Sequence, residues 1–280
     1  MAMAAIKESK ERMAEHSSLV DGESRLLELL RRVGREEPGT VGFGRPRQGP
    51  VRRAALALIA SLPEGAEAPV TAARDGGADA VIIPLAAGAT AVVPATAGAP
   101  ALLAGIITSG TRITPADLDR WQEAAIDAVA VRPADALAAC FSSRRPGLLA
   151  VLDQHLPLDG LRATAGLAVE GFVLHDTQEE GRLSGDDLLW LTLAAGLVRG
   201  PALLLSARVV AEDLEALVAA GLCGIAVRFP VEVNAEQVQQ SVAALRGAID
   251  HLDPRLRLGR RERAGIGPVT IPATTGQAEQ

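Results

Sequence analysis

The stretch PALLLSARVVAEDLEALVAAGLCGIAVR, Pro201–Arg228, decides the fold. An aliphatic run leads into a polar turn, then come acids in a first helical turn (Glu212, Asp213) and an apolar stripe of Leu214, Leu217 and Val218. Gly221 ends the stripe, and a second aliphatic run follows from Leu222 to Arg228. Acids favour the positive end of a helix macrodipole, and a glycine just past the last turn readily takes the left-handed conformation that stops a helix. Two short, wholly apolar runs around one helix make a β-α-β unit, whose parallel strands are buried on both faces.

The unit recurs along the chain. Four runs begin with proline: Pro38–Arg45 (PGTVGFGR), Pro100–Ile107 (PALLAGII), Pro146–Asp153 (PGLLAVLD) and Pro201–Arg208 (PALLLSAR). Proline is tolerated at a strand's first residue, and these read as strands 1, 3, 5 and 7. Between and after them lie Ala78–Pro84 (ADAVIIP), Ile126–Arg132 (IDAVAVR), Val169–His175 (VEGFVLH) and Leu222–Arg228 (LCGIAVR), read as strands 2, 4, 6 and 8. Eight aliphatic strands in four repeats predict a closed (βα)8 TIM barrel over residues 38–254, with strand 8 pairing to strand 1. An open doubly wound sheet would carry a glycine-rich phosphate turn after its first strand, and Gly42-Phe43-Gly44-Arg45-Pro46 does not continue that way. The weakest helix is the one between strands 2 and 3, where Ala86–Ala99 is rich in Ala, Gly and Thr and contains Pro94.

Residues 1–37 read as a helical arm, with Leu26, Leu27, Leu29, Leu30 and Val33 on one stripe that must be buried on the barrel's N-terminal face or in a homo-oligomer contact. Residues 255–280 read as an extended, flexible or disordered tail.

Composition narrows the chemistry. With 48% hydrophobic residues but only 2% aromatic and no tyrosine, Ala, Val, Leu and Ile fill the core. A net charge of -6 and few aromatic platforms argue against nucleic acid as a partner. Lys7 and Lys10 are the only lysines, so Schiff-base chemistry has no group in the barrel body. Cys140 and Cys223 form no CxxC pair and read as small buried hydrophobes. No apolar run of membrane-spanning length opens the chain, and a cytoplasmic location without membrane contact is expected. Serines lack a nucleophile-elbow context, and Trp121 and Trp190 fall in helices, where packing is the ordinary role.

Parallel barrels work at the end where the strands' C-termini emerge. On the even strands, small residues Ala80, Ala128, Gly171 and Gly224 share one slot and are assigned inward, which carries Pro84, Arg132, His175 and Arg228 to the mouth. The odd strands allow two phases: one turns Arg45, Asp153 and Arg208 inward, the other Thr108 and Gln154. Arg132 and Arg228 fit an anion grip, with Arg208, Arg45 and Ser206 as further substrate-binding candidates and His175 and Asp153 as catalytic acid or base. The competing arrangement is an ion-paired rim in which Arg132 meets Asp153 and His175 bonds a loop carbonyl. Asp153, Gln154, His155, His175 and Asp176 offer metal-type donors, but alternation sends neighbours to opposite faces, so neither a metal nor another cofactor is expected.

Residues Leu203–Val227, and the helical N-terminal arm before strand 1, resemble phosphate-binding barrels of the indole-3-glycerol-phosphate synthase type. Ser206 matches the serine of that family's strand-7 motif. The resemblance implies a (βα)8 fold and a phosphate seat on backbone N–H groups after strands 7 and 8. Here Ala207-Arg208-Val209 and Arg228-Phe229-Pro230 replace the expected glycines, and neither the strand-1 glutamate nor the strand-3 lysine is present at Arg45 and Thr108. The same missing glycines disfavour a flavin barrel. The expectation is therefore a degenerate member: a barrel binding a small anionic metabolite, phosphorylated or carboxylate, with lyase or isomerase chemistry. The alternative is a catalytically silent barrel with a structural, assembly or regulatory role.

Overall fold

The computed structural model describes residues 24–33, 54–63, 67–85, 102–107, 112–124, 126–142, 145, 147–154 and 156–253. Eight parallel strands close into a barrel in sequence order: β1 (Ala57–Ser61), β2 (Ala80–Leu85), β3 (Leu102–Ile107), β4 (Ala128–Val131), β5 (Leu148–Asp153), β6 (Gly171–His175), β7 (Ala202–Ser206) and β8 (Gly224–Arg228). The described helices are α1 (Arg25–Arg32), α2 (Glu67–Asp75), α3 (Pro115–Glu123), α4 (Leu158–Ala163), α5 (Gly185–Leu197), α6 (Leu214–Ala220) and α7 (Ala235–His251). Between β4 and β5 two 3-10 turns, Pro133–Asp135 and Ala138–Phe141, stand where a barrel helix would run. The weak stretch Ala86–Ala99 and the tail 255–280 lie outside the described residues.

Seven strands fall where the aliphatic runs predict them. The first does not. β1 is Ala57–Ser61, and its five residues pair in parallel with β8, from Ala57 against Gly224 to Ser61 against Arg228. Pro38–Arg45, including Arg45, lies outside the described residues. The reason for the correction is chemical. The segment Ala54–Leu62 is an unbroken aliphatic run but for Ser61, as a strand buried on both faces requires, whereas Pro38–Arg45 contains three glycines and offers little to bury.

Alternation along the strands sorts the core into two layers. Ala57, Ile59, Ala80, Ile82, Ala128, Ala130, Leu149, Val151, Val173, Leu203, Leu205 and Ala226 fill the lumen. Their neighbours, among them Leu58, Val81, Phe172, Leu204 and Ile225, pack outward against the helices. The inward assignment of the even strands therefore holds. The odd strands divide: β5 turns Asp153 to the lumen side, while β7 puts Leu203 and Leu205 there and so sends Ser206 to the helix side.

Helix α1 closes the N-terminal end of the lumen. Leu26, Leu27 and Leu30 are fully buried and belong to the lumen cluster. Gly171 and Gly224 make room for them, because a Cβ on Gly171 would stand 3.1 Å from Leu27 and one on Gly224 would stand 3.0 Å from Leu30. The helix start is tied to the base of β4. Asp127 accepts from Ser24 Oγ at 2.9 Å, Arg25 N at 3.1 Å and Leu26 N at 2.8 Å, satisfying N–H groups that a first turn leaves open. Leu26, Leu27, Leu30 and Val33 of the stripe are thus buried within one chain, while Leu29 is half-buried. No described helix is long and apolar enough to cross a membrane.

Candidate functional site

The strand register brings Ser61, Pro84, Arg132, Asp153, His175 and Arg228 to one end of the barrel. Asp153 and His175 are directly paired positions of β5 and β6. Ser61 and Arg228 are paired positions of β1 and β8.

Arg132, Asp153 and His175 form one cluster. Arg132 Nε lies 3.1 and 3.2 Å from the two carboxylate oxygens of Asp153. His175 Nδ1 is 2.7 Å from Asp153 Oδ1 and 3.1 Å from Arg132 Nη2. A 2.7 Å approach to an ionised carboxylate requires the proton on Nδ1, so the Arg132 contact there is electrostatic rather than a second hydrogen bond. Burial pushes the His175 pKa down, and the nearby positive charges of Arg132 and Arg228 add to this, against the raising effect of Asp153. Asp153 is raised by burial, yet the bond from His175 and the charge of Arg132 hold it below the ordinary carboxylate range. The cluster at neutral pH is therefore arginine cation, carboxylate and neutral imidazole. Among the described residues, Nε2 of His175 has no hydrogen-bond partner.

Arg132 does not stand free of carboxylates, contrary to the open anion grip, because register places Asp153 beside it on the neighbouring strand. Arg228 is held more loosely. Its Nη2 lies 3.5 Å from Glu179 Oε1, on a residue whose side chain is 79% exposed. That nitrogen is shielded from solvent and has no hydrogen-bond partner among the described residues.

Arg208 and Ser206, both substrate-binding candidates from sequence, sit on the other side of the sheet. Arg208 Nε and Nη2 donate to Asp176 at 2.8 and 2.9 Å, Nη2 reaches Asp187 at 3.2 Å, and Nη1 donates to the Arg182 carbonyl at 2.9 Å. Ser206 Oγ donates to Asp176 at 2.6 Å and accepts from Arg208 N at 3.0 Å. Asp187 also caps α5 through Ser184 and bonds Gln154. Asp176 and Asp187 are each raised by burial, but their donors, foremost Arg208 for Asp176 and Ser184 for Asp187, hold them below the usual carboxylate range. This network fastens α5 and the segment after β6 to the barrel wall. It is out of reach of a ligand in the lumen, and both residues are corrected from binding to structural positions.

Two mouth features escaped the sequence reading. Ser61 was hidden by the misplaced first strand, although its parity with Ala57 and Ile59 would have placed it. Glu179 lies in the polar stretch Asp176–Glu180, where nothing local marks one acid over another. Among the described residues, no group of three or more His, Cys, Asp or Glu side chains is arranged to hold a metal ion.

No protein-family model matches the chain, and no curated protein matches it. Solved structures do. A point-mutant tryptophan synthase α-subunit from the hyperthermophile Pyrococcus furiosus is 13% identical with a TM-score of 0.51, over 68% of this chain and 98% of that one. The tryptophan synthase α2β2 complex of the same organism gives 14% identity and a TM-score of 0.52 over the same shares. At this identity the likeness establishes the (βα)8 fold and nothing about chemistry.

Proposed function

We propose that the barrel binds a small anionic metabolite at the C-terminal mouth and moves a proton on it, with His175 as general base, Asp153 as its positioning carboxylate and Arg228 as the anion anchor. The observation that carries this is the 2.7 Å bond from His175 Nδ1 to Asp153. It fixes the tautomer and makes Nε2 more basic, while burial keeps the imidazole neutral near pH 7 and leaves the Nε2 lone pair to take a proton, the arrangement in which a third group orients a base. Arg132 holds Asp153 ionised. With no lysine in the barrel, the reaction class that fits is lyase or isomerase proton transfer. The solved structures of similar fold support the barrel on which this reading stands. Descent from an indole-3-glycerol-phosphate-synthase-like barrel that lost its catalytic glutamate and lysine fits the same reading.

One observation favours a silent barrel instead: Arg132 is already spent on Asp153. Thermal unfolding with a panel of phosphate, sulfate, phosphosugars and carboxylates separates the two. Binding to the folded state stabilises it by about 2.7 kcal/mol at a hundredfold excess over Kd. A shift present in the wild type, kept in His175→Gln and lost in Arg228→Ala is expected. Deuterium exchange into a bound ligand, followed by NMR in heavy water, should require His175. Absence of both the shift and the exchange gives the silent barrel.

A further inference from the structure

We infer that the anion taken at the mouth is a carboxylate rather than a phosphate monoester, held by Arg228 at the place where the Glu179 carboxylate now stands. The inference rests on the reading of the mouth as an anion site. Three independent features lead to it.

First, the usual phosphate seat of a parallel barrel, on backbone N–H groups after strands 7 and 8, has lost donors in this chain. After β7, Arg208 N donates to Ser206 Oγ at 3.0 Å. After β8, Phe229 N donates to the Ser61 carbonyl at 3.0 Å, and Pro230 has no N–H to give. The turn leading into α6 carries Glu212 and Asp213, so its positive end already faces carboxylates of its own. A dianion there would meet like charge.

Second, the charges at the mouth count to a monoanion. Arg132 and Arg228 stand against Asp153, with His175 neutral; once Glu179 leaves, one positive charge remains. A carboxylate neutralises it, while a phosphate monoester brings close to two negative charges.

Third, the protein supplies a carboxylate of its own at that spot. Glu179 lies in the connection from β6 to α5, which is fastened on both sides: Asp176 accepts from Arg208, and the Arg182 carbonyl accepts from the same guanidinium. Its ion pair with Arg228 is 3.5 Å long and one partner is largely in solvent, so it is weakly held. The shielded Nη2 of Arg228 has no hydrogen-bond partner among the described residues. A ligand carboxylate that displaces Glu179 meets a guanidinium fork with an unspent donor, the geometry arginine offers to carboxylates.

NMR titration of the full chain, following the His175 imidazole resonance assigned by its loss in His175→Gln, tests this with lactate and acetate against glycerol 3-phosphate and inorganic phosphate. Lactate should shift the resonance saturably and bind at least fivefold more tightly than glycerol 3-phosphate. Glu179→Gln should tighten lactate severalfold, and Arg228→Gln should abolish the shift with an unchanged circular dichroism spectrum. Should Arg228→Gln not fold, the Glu179→Gln comparison decides alone. Equal or tighter binding of glycerol 3-phosphate overturns the carboxylate assignment and leaves the anion site standing. Unaltered lactate affinity in Glu179→Gln overturns the role given to Glu179. If none of the four probes shifts His175 in the wild type or in Glu179→Gln, the anion site itself fails, and the inference with it.

Discussion

The two ends of the barrel are built from the same strands and are opposite in character. At the N-terminal end, α1 fills the lumen with three fully buried leucines, and acids at the strand bases are spent on backbone. Asp127 caps α1, Asp79 accepts from Leu58 N at 2.8 Å, and Glu170 accepts from Gly147 N at 3.1 Å. At the C-terminal end the lumen is edged by two arginines, a carboxylate and a neutral histidine, and two of their polar atoms, His175 Nε2 and Arg228 Nη2, have no hydrogen-bond partner among the described residues. One end is settled by packing, the other keeps unspent donors and acceptors. Stability should reside at the first and in the α5 network, and ligand response at the second.

The largest loss of stability is expected from neither lumen end but from the network that fastens α5 to the barrel wall. Arg208→Ala leaves Asp176 and Asp187 buried without their shared cation, and breaking one side of a buried pair costs roughly 3–5 kcal/mol. Urea unfolding measures it. A loss under about 1 kcal/mol would mean that the two acids find solvent or a proton instead, and that α5 is fastened by its apolar contacts alone.

Leu30→Ala comes next, at about 2–5 kcal/mol, because Leu30 is fully buried against Gly224 and the deletion leaves a cavity at the lumen floor. The same substitution should leave the mouth's anion response unchanged. A parallel loss of ligand-induced stabilisation would break the division between the two ends.

That division was legible in the sequence only in part, for reasons that can be located. The even strands announce their parity because the lumen floor needs small residues where α1 approaches, and Ala80, Ala128, Gly171 and Gly224 stand out against bulky neighbours. The repeated Asp-Ala-Val at Asp79 and Asp127 was visible too, yet its purpose was not, since only the closed barrel brings Asp127 to the start of α1. Strand 1 misled because Pro38 copies the proline that opens three real strands, while the true strand begins without one. Arg208 misled because its side chain turns on the phase of a single odd strand, and β7 does not share the phase of β5. Of the mouth, Arg132, His175 and Arg228 could be collected by counting along the even strands, while Asp153 hung on the open phase of the odd ones. The Arg132–Asp153 pair stood as one of two arrangements, and the bond of His175 to Asp153 rather than to a loop carbonyl depends on register between strands.

The smallest expected effect is a pH dependence, and it isolates the mouth from everything else. His175 has a folded-state pKa below its ordinary value of 6.5, chiefly through burial, so between these two values the unfolded chain binds more protons than the folded one. The sign follows directly. Stability from the neutral imidazole is fully present above pH 6.5 and drains as pH falls through the window beneath it, ending at the folded pKa. Asp153, Asp176 and Asp187 have lowered pKa values as well, but their losses begin only below the ordinary carboxylate value of 3.8, so the two windows do not overlap near pH 6. Unfolding free energies of wild type and His175→Gln, measured from pH 7.5 down to pH 5, should therefore diverge: the wild type declines and the variant stays nearly flat by comparison. Saturation with an anion at Arg228 should weaken the decline, because negative charge beside the imidazole raises its folded pKa toward the unfolded value. A wild-type curve as flat as the variant's would mean that the Asp153 bond cancels the burial of His175. The imidazole would then be partly protonated near neutrality, and the general-base role would pass from His175 to an acid role with the same geometry.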